Sequence, residues 1–179
     1  MNKLPLPKRV TIVSALVEGN SLRSTCRMTG VAMNTVLKLL ADLGEACAEY
    51  HDSHVRSVTA KRIQCDEIWQ YVYAKAKNVP ADKQGTFGYG DVWTWTALDA
   101  DTKLMVSYLV GPRTPGMAFD LMKDVAARLA GKVQLTTDGL YWYPHAVEHA
   151  FGIDVDYAVQ TKKYGEDGRQ GRYSPGRFI

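Results

Sequence analysis

The stretch QCDEIWQYVY, residues 64–73, carries two adjacent carboxylates among aromatic and aliphatic side chains. Because successive side chains of a β-strand point to opposite faces, its alternation predicts a strand at the centre of a core. One face of this strand would carry Ile63, Cys65, Trp69, Tyr71 and Tyr73, and the other Gln64, Asp66 and Gln70. Asp66 and Glu67 therefore point in opposite directions, so the strand can direct only one of these carboxylates into a given site.

The segments that follow this strand predict a loop, a hairpin and a helix. Residues 74–90 contain three lysines with Pro and Gly turns, which indicates an exposed basic loop. Two β-rich runs then flank the turn DADT, residues 99–102, and form a predicted hairpin. A helix is expected to begin at Thr114-Pro115 and to end at Gly131. Its expected buried face consists of Phe119, Met122, Val125 and Leu129.

A second acidic block follows this helix, where the apolar run KVQLTT leads directly into Asp138 and a glycine. A carboxylate at the carboxyl end of a strand, next to a glycine, is well placed for a ligand site. A short helix over His145–Phe151 and a strand over Ile153–Val159 are then expected. The order strand, hairpin, helix, strand, helix, strand predicts a mixed sheet covered by helices.

The first third of the chain contains the start and stop signals of three helices. The first helix is expected to end at Gly19 and Asn20. Ser21 is placed to cap the second helix, and Gly30 turns the chain into the third. The apolar positions expected on these helices are Val10, Val13 and Val17, then Leu22, Cys26 and Met28, then Val36, Leu40, Leu43, Cys47 and Tyr50. A short helix, a tight glycine turn and a longer helix are typical of a helix-turn-helix.

In a helix-turn-helix, the N-terminal turn of the last helix reads the DNA major groove, and basic residues nearby contact phosphates. The candidate base-reading residues are Asn34, Thr35 and Lys38, and the candidate phosphate ligands are Lys8, Arg9 and Arg23. The alternative is a three-helix packing unit that does not bind DNA.

Composition limits the class of protein. The 179 residues are 46% apolar and 23% charged, which is typical of one or two globular domains. The sequence has no apolar run long enough to predict a membrane span or a signal peptide, so we expect a cytoplasmic protein. Three widely spaced cysteines indicate reduced thiols rather than disulfides or a zinc knuckle. Residues 1–63 hold nine Lys/Arg against five Asp/Glu, and the tail from residue 161 holds five against two. A polyanionic partner would explain this excess of basic residues, and the alternative is a solvated surface that is basic without such a partner.

The blocks CDEIWQYV, ALDADTKLMVSYLVG and LTTDGLYWYP, preceded by LVEGNSLRSTCRMTGV, resemble bacterial transposases of the insertion-sequence-one type over nearly the whole chain. This resemblance implies an α+β protein with a helix-turn-helix over 1–57, a partial ribonuclease H-like core over 58–160 and a basic glycine-rich tail over 161–179. It also implies cutting and joining of DNA phosphodiesters at the ends of the mobile element. Double-stranded DNA and further copies of the chain are the implied partners, with no membrane.

In this family two Asp and one Glu hold two Mg²⁺ or Mn²⁺ ions, and the resemblance assigns Asp66 and Asp138 as the first two carboxylates. On the neighbouring parallel strands of a ribonuclease H-like sheet they would lie about 5 Å apart, close enough to share a cation. Two such carboxylates repel each other unless metal lies between them, and their oxygens suit a hard divalent ion. Glu67 faces the other side of the strand, and we interpret it as structural.

The third carboxylate is where this sequence departs from the family. A Glu on a helix after the last strand is expected, yet only Glu166 and Asp167 follow Asp156, within a glycine-rich segment that disfavours a helix. We therefore expect a truncated or frameshifted copy that is weakly active or inactive. The alternative function is a noncatalytic DNA-binding remnant, or a regulator of intact transposase.

Two further patterns have competing interpretations. The residues His145, Glu148 and His149 match H-x-x-E-H, the inverted zinc-protease motif, but few residues remain to supply a third ligand. They are otherwise helix-surface residues or contacts to DNA. The aromatic residues are interpreted as core residues rather than as platforms for base stacking: Trp93, Trp95, Trp142 and Tyr143.

Overall fold

The computed structural model describes residues 3–86, 88–163 and 177–178. The chain divides into two compact units, Met1–His54 and Val55–Ile179. Helices alone form the described part of the first unit, whereas the second unit combines a five-stranded sheet with helices. The predicted α+β class is therefore confirmed.

The first unit contains three helices, α1 (Leu6–Val17), α2 (Leu22–Thr29) and α3 (Met33–His54). The Ser21 hydroxyl accepts a hydrogen bond from the backbone N–H of Ser24 at 3.1 Å and caps α2. Gly30 ends α2 with φ of 68°, a left-handed conformation that glycine adopts without steric cost. Both helix boundaries are where the sequence predicts them.

The buried faces of these helices differ from the predicted ones. The buried side chains are those of Ile12, Thr25, Thr29 and Val36. Val10, Val17 and Met28 are exposed, so their assignment to an apolar packing face was wrong. On α3, Val36 of the predicted stripe is buried and Leu43 is half-buried, whereas Leu40, Cys47 and Tyr50 are exposed, so their assignment to the packing face was also wrong. The 22 residues of α3 span about 33 Å, whereas the 8 residues of α2 span about 12 Å, so α2 cannot cover its full length.

The second unit is built on a mixed sheet with β1 at its centre. Its strands, in the order β3-β2-β1-β4-β5, are β1 (Arg62–Val72), β2 (Gly90–Asp99), β3 (Met105–Gly111), β4 (Val133–Thr137) and β5 (Val155–Val159). The first three form an antiparallel meander with the predicted hairpin after Asp99, and β1, β4 and β5 run parallel. This is the arrangement expected of a ribonuclease H-like sheet. Two short strands, β6 (Lys162–Lys163) and β7 (Arg177–Phe178), pair separately.

The main core lies where two helices, α4 (Pro115–Arg128) and α5 (Tyr143–Phe151), pack with the sheet. Thr114 caps α4 by accepting a hydrogen bond from the backbone N–H of Met117. Of the predicted buried face of α4, Met122 and Val125 are fully buried, while Phe119 and Leu129 are only partly buried. Fully buried side chains at the centre of this core include Ile63, Trp95, Leu121, Leu135 and Tyr143. Trp93 and Trp142 pack against it, so the interpretation of the four aromatic residues as core residues is confirmed.

The second half of β1 is exposed, which the alternating pattern does not predict. Ile63 and Cys65 are buried, but Trp69 is 38% and Tyr71 52% exposed. The reason is that β4 pairs with β1 only from Arg62 to Gln64, so β1 continues beyond its neighbour. The exposed Trp69 ring has a cation next to it, since the Lys75 ammonium lies 5.0 Å from the centre of this ring.

The loop between β1 and β2 contains two short 3₁₀ helices, Ala76–Asn78 and Ala81–Lys83, with Val79 buried between them. Later in the chain, α5 begins two residues before the predicted start, and β5 begins at Val155 and leaves Ile153 fully exposed on the preceding turn. Among the described helices, none combines the length and the apolar character needed to span a membrane.

Candidate active site

The two acidic blocks meet where β1 and β4 run side by side. The parallel register pairs Arg62 with Gln134, Ile63 with Leu135 and Gln64 with Thr136. The pairing ends there; Asp66 lies two residues after Gln64 on β1, and Asp138 lies two residues after Thr136, directly after the last residue of β4. Neighbouring strands lie about 4.8 Å apart, so the two carboxylates belong to the same end of the sheet, where β4 ends.

Both carboxylates line one open cavity of about 760 Å³. It lies where β4 ends and β1 continues, so it is bordered by the exposed edge of β1 and by the loop that follows β4. The other lining residues come mainly from β1, β2 and the ends of β4 and β5: Gln64, Cys65, Thr96, Leu98, Arg113, Thr136, Thr137, Gly139, Leu140, Tyr141, Gln160 and Thr161.

Local hydrogen bonds orient each carboxylate. Oδ1 of Asp66 accepts from the backbone N–H of Glu67 at 2.8 Å, and the Asp66 carbonyl accepts from the Thr96 hydroxyl at 3.0 Å. Oδ1 of Asp138 accepts from the backbone N–H of Leu140 at 3.0 Å, which closes an Asx turn. One oxygen of each carboxylate is thus held by backbone, and Oδ2 of each lies outside these bonds.

Glu67 occupies a different environment from Asp66. Its side chain is only 2% exposed, and Oε2 accepts from Arg113 Nη2 at 2.9 Å and from Arg113 Nε at 3.2 Å. Oε1 accepts a hydrogen bond from the Tyr143 hydroxyl at the start of α5. Glu67 does not contribute to the cavity lining, whereas its neighbour Asp66 does. Adjacent carboxylates on one strand therefore have separate partners.

Burial and nearby acids keep two groups of the site protonated. Burial, followed by the hydrogen bond to Glu67, raises the pKa of the Tyr143 hydroxyl well above its ordinary value. Burial also raises the pKa of the Cys65 thiol, and the charges of Glu67 and Asp66 raise it further. Tyr143 is therefore a proton donor to Glu67 at neutral pH, and Cys65 is not a thiolate nucleophile.

Arg113 is the cationic residue of the cavity that the sequence reasoning missed. It lies between β3 and α4, directly before the cap residue Thr114, and its guanidinium lies 4.9 Å from the centre of the Trp93 ring. The one local signal was a basic residue at a predicted strand-to-helix junction. Its partner Glu67 is 46 residues away in the sequence, so the pairing itself leaves no local pattern.

The candidate DNA-binding residues lie in the first unit. Asn34, Thr35 and Lys38 are exposed on the first turns of α3, and Lys38 forms an ion pair with Asp42 at 2.8 Å. These positions are compatible with groove reading, which stays a prediction.

The candidate phosphate ligands differ in exposure. Lys8 and Arg23 are exposed, whereas Arg9 is half-buried. Its Nε is buried and has no hydrogen-bond partner among residues 3–86, 88–163 and 177–178. Contact of these three residues with DNA also stays a prediction.

The zinc-protease pattern brings together no complete ligand set. His145, Glu148 and His149 are exposed on α5, and the His149 ring packs against Phe119 with 5.5 Å between ring centres. Within the described ranges, no group of three His, Cys, Asp or Glu side chains is placed to hold a metal ion. Glu166 and Asp167, the candidates for a third carboxylate, lie outside the described residues.

Comparisons with known proteins give similarity in structure only. No protein-family model matches the chain, and no curated protein sequence gives a significant match. The piggyBac transposase in its synaptic complex with hairpin DNA is similar over 94% of this chain and 44% of its own, with 11% identity and a TM-score of 0.42. The Mos1 transposase of a pre-cleavage transpososome is similar over 89% of this chain and 60% of its own, with 10% identity and a TM-score of 0.31. The chain therefore spans about half the length of the transposases whose structures it matches.

Proposed function

We propose that this chain is a DNA transposase of the insertion-sequence-one type, and that the cavity lined by Asp66 and Asp138 is its phosphodiester-cutting site. The observation that carries the proposal is the parallel register of β1 and β4, which brings the acids of both sequence blocks to one cavity. Asp138 directly follows β4, at the carboxyl end of a parallel strand, which is a typical position for a ligand site in such sheets, and Asp66 lies on the neighbouring strand β1.

The donor atoms of Asp66 and Asp138 suit a hard divalent metal ion. Asp66 and Asp138 offer carboxylate oxygens, the ligands that Mg²⁺ and Mn²⁺ prefer, and Oδ2 of each is not used by the backbone bonds. Cys65, the soft ligand nearest to them in sequence, is buried and protonated. These residues fit a hard ion, and Asp66 and Asp138 would hold it. When bound, it would supply Lewis-acid activation of a water or a DNA 3′-hydroxyl and compensate charge on the leaving oxygen.

The residues around the carboxylates would orient the reacting groups. The Thr96 hydroxyl fixes the backbone of Asp66, and the Asx turn fixes Asp138, so both side chains are held before substrate binds. Preorganised groups of this kind need little rearrangement during the reaction. The cavity is open at the sheet edge, which leaves room for a DNA strand rather than for a small enclosed ligand.

DNA would be delivered by the first unit. The cap at Ser21, the left-handed Gly30 and the exposed polar start of α3 support a helix-turn-helix that reads the major groove through Asn34, Thr35 and Lys38. The basic side chains of Lys8, Arg9 and Arg23 would neutralise phosphates. Assembly of several copies on the element ends is part of this proposal.

A second candidate function is DNA binding without cleavage. It is favoured by one observation, that the described residues bring together two carboxylates and no third. Two-metal transfer needs further ligands, so a chain with only this pair would bind DNA and cut it slowly. Regulation of an intact transposase would follow from shared binding sites.

The experiment that tests the metal site is Mn²⁺ binding measured by electron paramagnetic resonance on the full chain. We expect weak binding that Asp66→Asn and Asp138→Asn each abolish. Asp156→Asn is the matched control, since this exposed Asp on β5 pairs with Lys132 and does not line the cavity. Mn²⁺ binding that survives both cavity substitutions would refute the site. Mg²⁺-dependent nicking of element-end DNA then separates the cutting function from binding alone.

A further inference from the structure

The Arg113 side chain is held by Glu67 and Trp93, and Tyr143 in turn holds Glu67. Glu67 accepts two hydrogen bonds from its guanidinium, and the Tyr143 hydroxyl fixes the other oxygen of the same carboxylate. The aromatic ring of Trp93 lies against the guanidinium, with 4.9 Å from the ring centre to Cζ. Stacking and a two-bond contact with a carboxylate restrict an arginine far more than a single surface ion pair does.

The backbone that carries Arg113 is also fixed. The Pro112 carbonyl accepts a hydrogen bond from the indole N–H of the buried Trp95 at 3.3 Å. On the other side, Thr114 caps α4. Gly111 is packed so closely that an added Cβ would lie 2.9 Å from the Met117 methyl carbon. The segment from 111 to 114 is therefore positioned by the core and by a helix terminus.

Part of the guanidinium remains available to the cavity. A guanidinium has five N–H groups, and Glu67 uses Nε–H and one N–H of Nη2. The two N–H groups of Nη1 and the second of Nη2 lie outside this contact. The side chain is 37% exposed and lines the same cavity as Asp66 and Asp138. A positive group with unused donors thus stands beside two carboxylates that would repel an anionic substrate.

We propose that Arg113 is a phosphate-binding residue, which holds a non-bridging oxygen of the DNA phosphodiester next to Asp66 and Asp138. This inference rests on the proposed function of the cavity and adds how the cavity attracts a polyanion. In this arrangement Glu67 is a positioning residue, which aims the guanidinium and does not touch the substrate. The adjacent Asp66 and Glu67 then have different roles, since Asp66 would bind the metal ion and Glu67 positions Arg113.

The test uses the full chain and the dinucleotide dTpdT, which contains a single phosphodiester, with its Kd measured by calorimetry in Mg²⁺. We expect Arg113→Lys and Arg113→Gln to raise the Kd about tenfold, because a charge-assisted hydrogen bond is lost or misplaced. Arg62→Gln is the matched control: Arg62 is an exposed arginine on β1 that pairs with Asp101 and does not line the cavity, so its loss should leave the Kd unchanged. In ¹⁵N-arginine-labelled protein, the Nε–H signal of Arg113, assigned by its absence in Arg113→Lys, should move when dTpdT is added.

Arg113→Gln leaves the buried Glu67 without its cation and can unfold the chain, so Glu67→Gln combined with Arg113→Gln provides a neutral pair. The double variant should raise the Kd for dTpdT about tenfold, as the single variant does. An unchanged Kd in a folded double variant, with binding still dependent on Asp66, would overturn the role of Arg113 and leave the metal site intact. Conversely, an Arg113 signal that responds to dTpdT in a chain that binds no Mn²⁺ would support the phosphate site and refute the proposed cutting site. A wild-type chain that binds no dTpdT, with or without Mg²⁺, would overturn the role of Arg113 in phosphate binding.

Discussion

The buried carboxylate of Glu67 accepts two hydrogen bonds from the guanidinium of Arg113, at 2.9 and 3.2 Å, across 46 residues of sequence. This contact connects the central strand β1 to the junction between β3 and α4. It also brings a cation to the cavity that Asp66 lines. The pair therefore belongs both to the stability of the sheet and to the chemistry of the site.

Replacing Glu67 by Ala should destabilise the chain by about 1–3 kcal/mol, since the Arg113 guanidinium and the buried Tyr143 hydroxyl both lose their acceptor. The value lies below that of a fully buried pair because Arg113 is partly exposed and solvent screens its charge. Urea unfolding followed by circular dichroism measures the change. Asp101→Ala, which breaks the exposed pair with Arg62, should change the free energy of unfolding much less, because solvent screens that pair. Equal effects of the two substitutions would contradict the structural role of Glu67.

The turn after β2 should make the stability of the fold depend on pH through Asp99. The hydrogen bond from the Thr102 hydroxyl at 2.6 Å, and then that from the Asp101 backbone N–H, lower the pKa of Asp99 below its ordinary value of about 3.8. A lowered folded-state pKa means that the ionised form stabilises the fold. This contribution is fully present above the unfolded-state pKa and is lost as the pH falls through the folded-state pKa.

Thr102→Val should accordingly raise the pKa of Asp99, measured by following its carboxyl carbon by NMR, and should reduce stability at neutral pH more than at acid pH. Thr102→Ser keeps the hydroxyl and should behave like the original chain. A stability difference that does not change with pH would show that Thr102 acts only through packing or through its bond with Leu104.

Binding to duplex DNA should weaken steeply with salt, because neutralised phosphates release counterions. Lys8→Gln with Arg9→Gln should reduce affinity for all DNA sequences alike and make the salt dependence shallower, by roughly one slope unit for each lost phosphate contact. Fluorescence anisotropy on the full chain, from about 50 to 200 mM salt, provides the measurement. Affinity that does not depend on salt would contradict the assignment of these residues.

Asn34→Ala should instead relax the preference between sequences, which can be measured by selection from a random DNA pool. Asparagine discriminates bases through two hydrogen bonds to an adenine edge, worth about 1–3 kcal/mol. Lys132→Gln is a control outside the first unit, because Lys132 pairs with Asp156. If Asn34→Ala weakened every sequence equally, Asn34 would be a positioning residue.

Cleavage of element-end DNA by the 179-residue chain should be slow, by about a hundredfold to a thousandfold relative to a site with its full set of ligands, because one electrostatic element is missing from the described site. Nicking is followed on supercoiled plasmid with Mg²⁺ or Mn²⁺, and Asp66→Ala should remove whatever activity is present. Glu166→Gln and Asp167→Asn should leave it unchanged. Activity that either of these two substitutions abolishes would make that residue the third ligand.

Local sequence features predicted the parts of the fold that local physics controls. Ser21 before a helix, Gly30 after it and Thr114 before a proline each determine a helix boundary, because capping and left-handed backbone depend on neighbouring residues only. The hairpin after Asp99 and the strand that ends before Asp138 follow from periodicity and turn residues in the same way.

Burial was harder to predict, since it depends on which element lies opposite. Val10 and Val17 have the spacing of a packed face and are exposed, while the polar Thr25 and Thr29 are buried. Trp69 and Tyr71 continue the alternation of Cys65 but extend beyond β4 and lie partly in solvent. Periodicity identifies an apolar stripe, but only the tertiary structure determines which of its side chains another element buries.

The sequence by itself thus determined the helices and strands, the central place of the strand that contains Asp66, and the two acidic blocks as candidate ligands. Periodicity and turn residues could not place Asp66 and Asp138 in one cavity, which only the family resemblance implied, and they could not pair Glu67 with Arg113 and Tyr143; both placements depend on the tertiary structure. The physical reason is range. Caps, turns and strand alternation act over a few residues, whereas strand register and a buried ion pair form only when segments far apart in sequence have packed together.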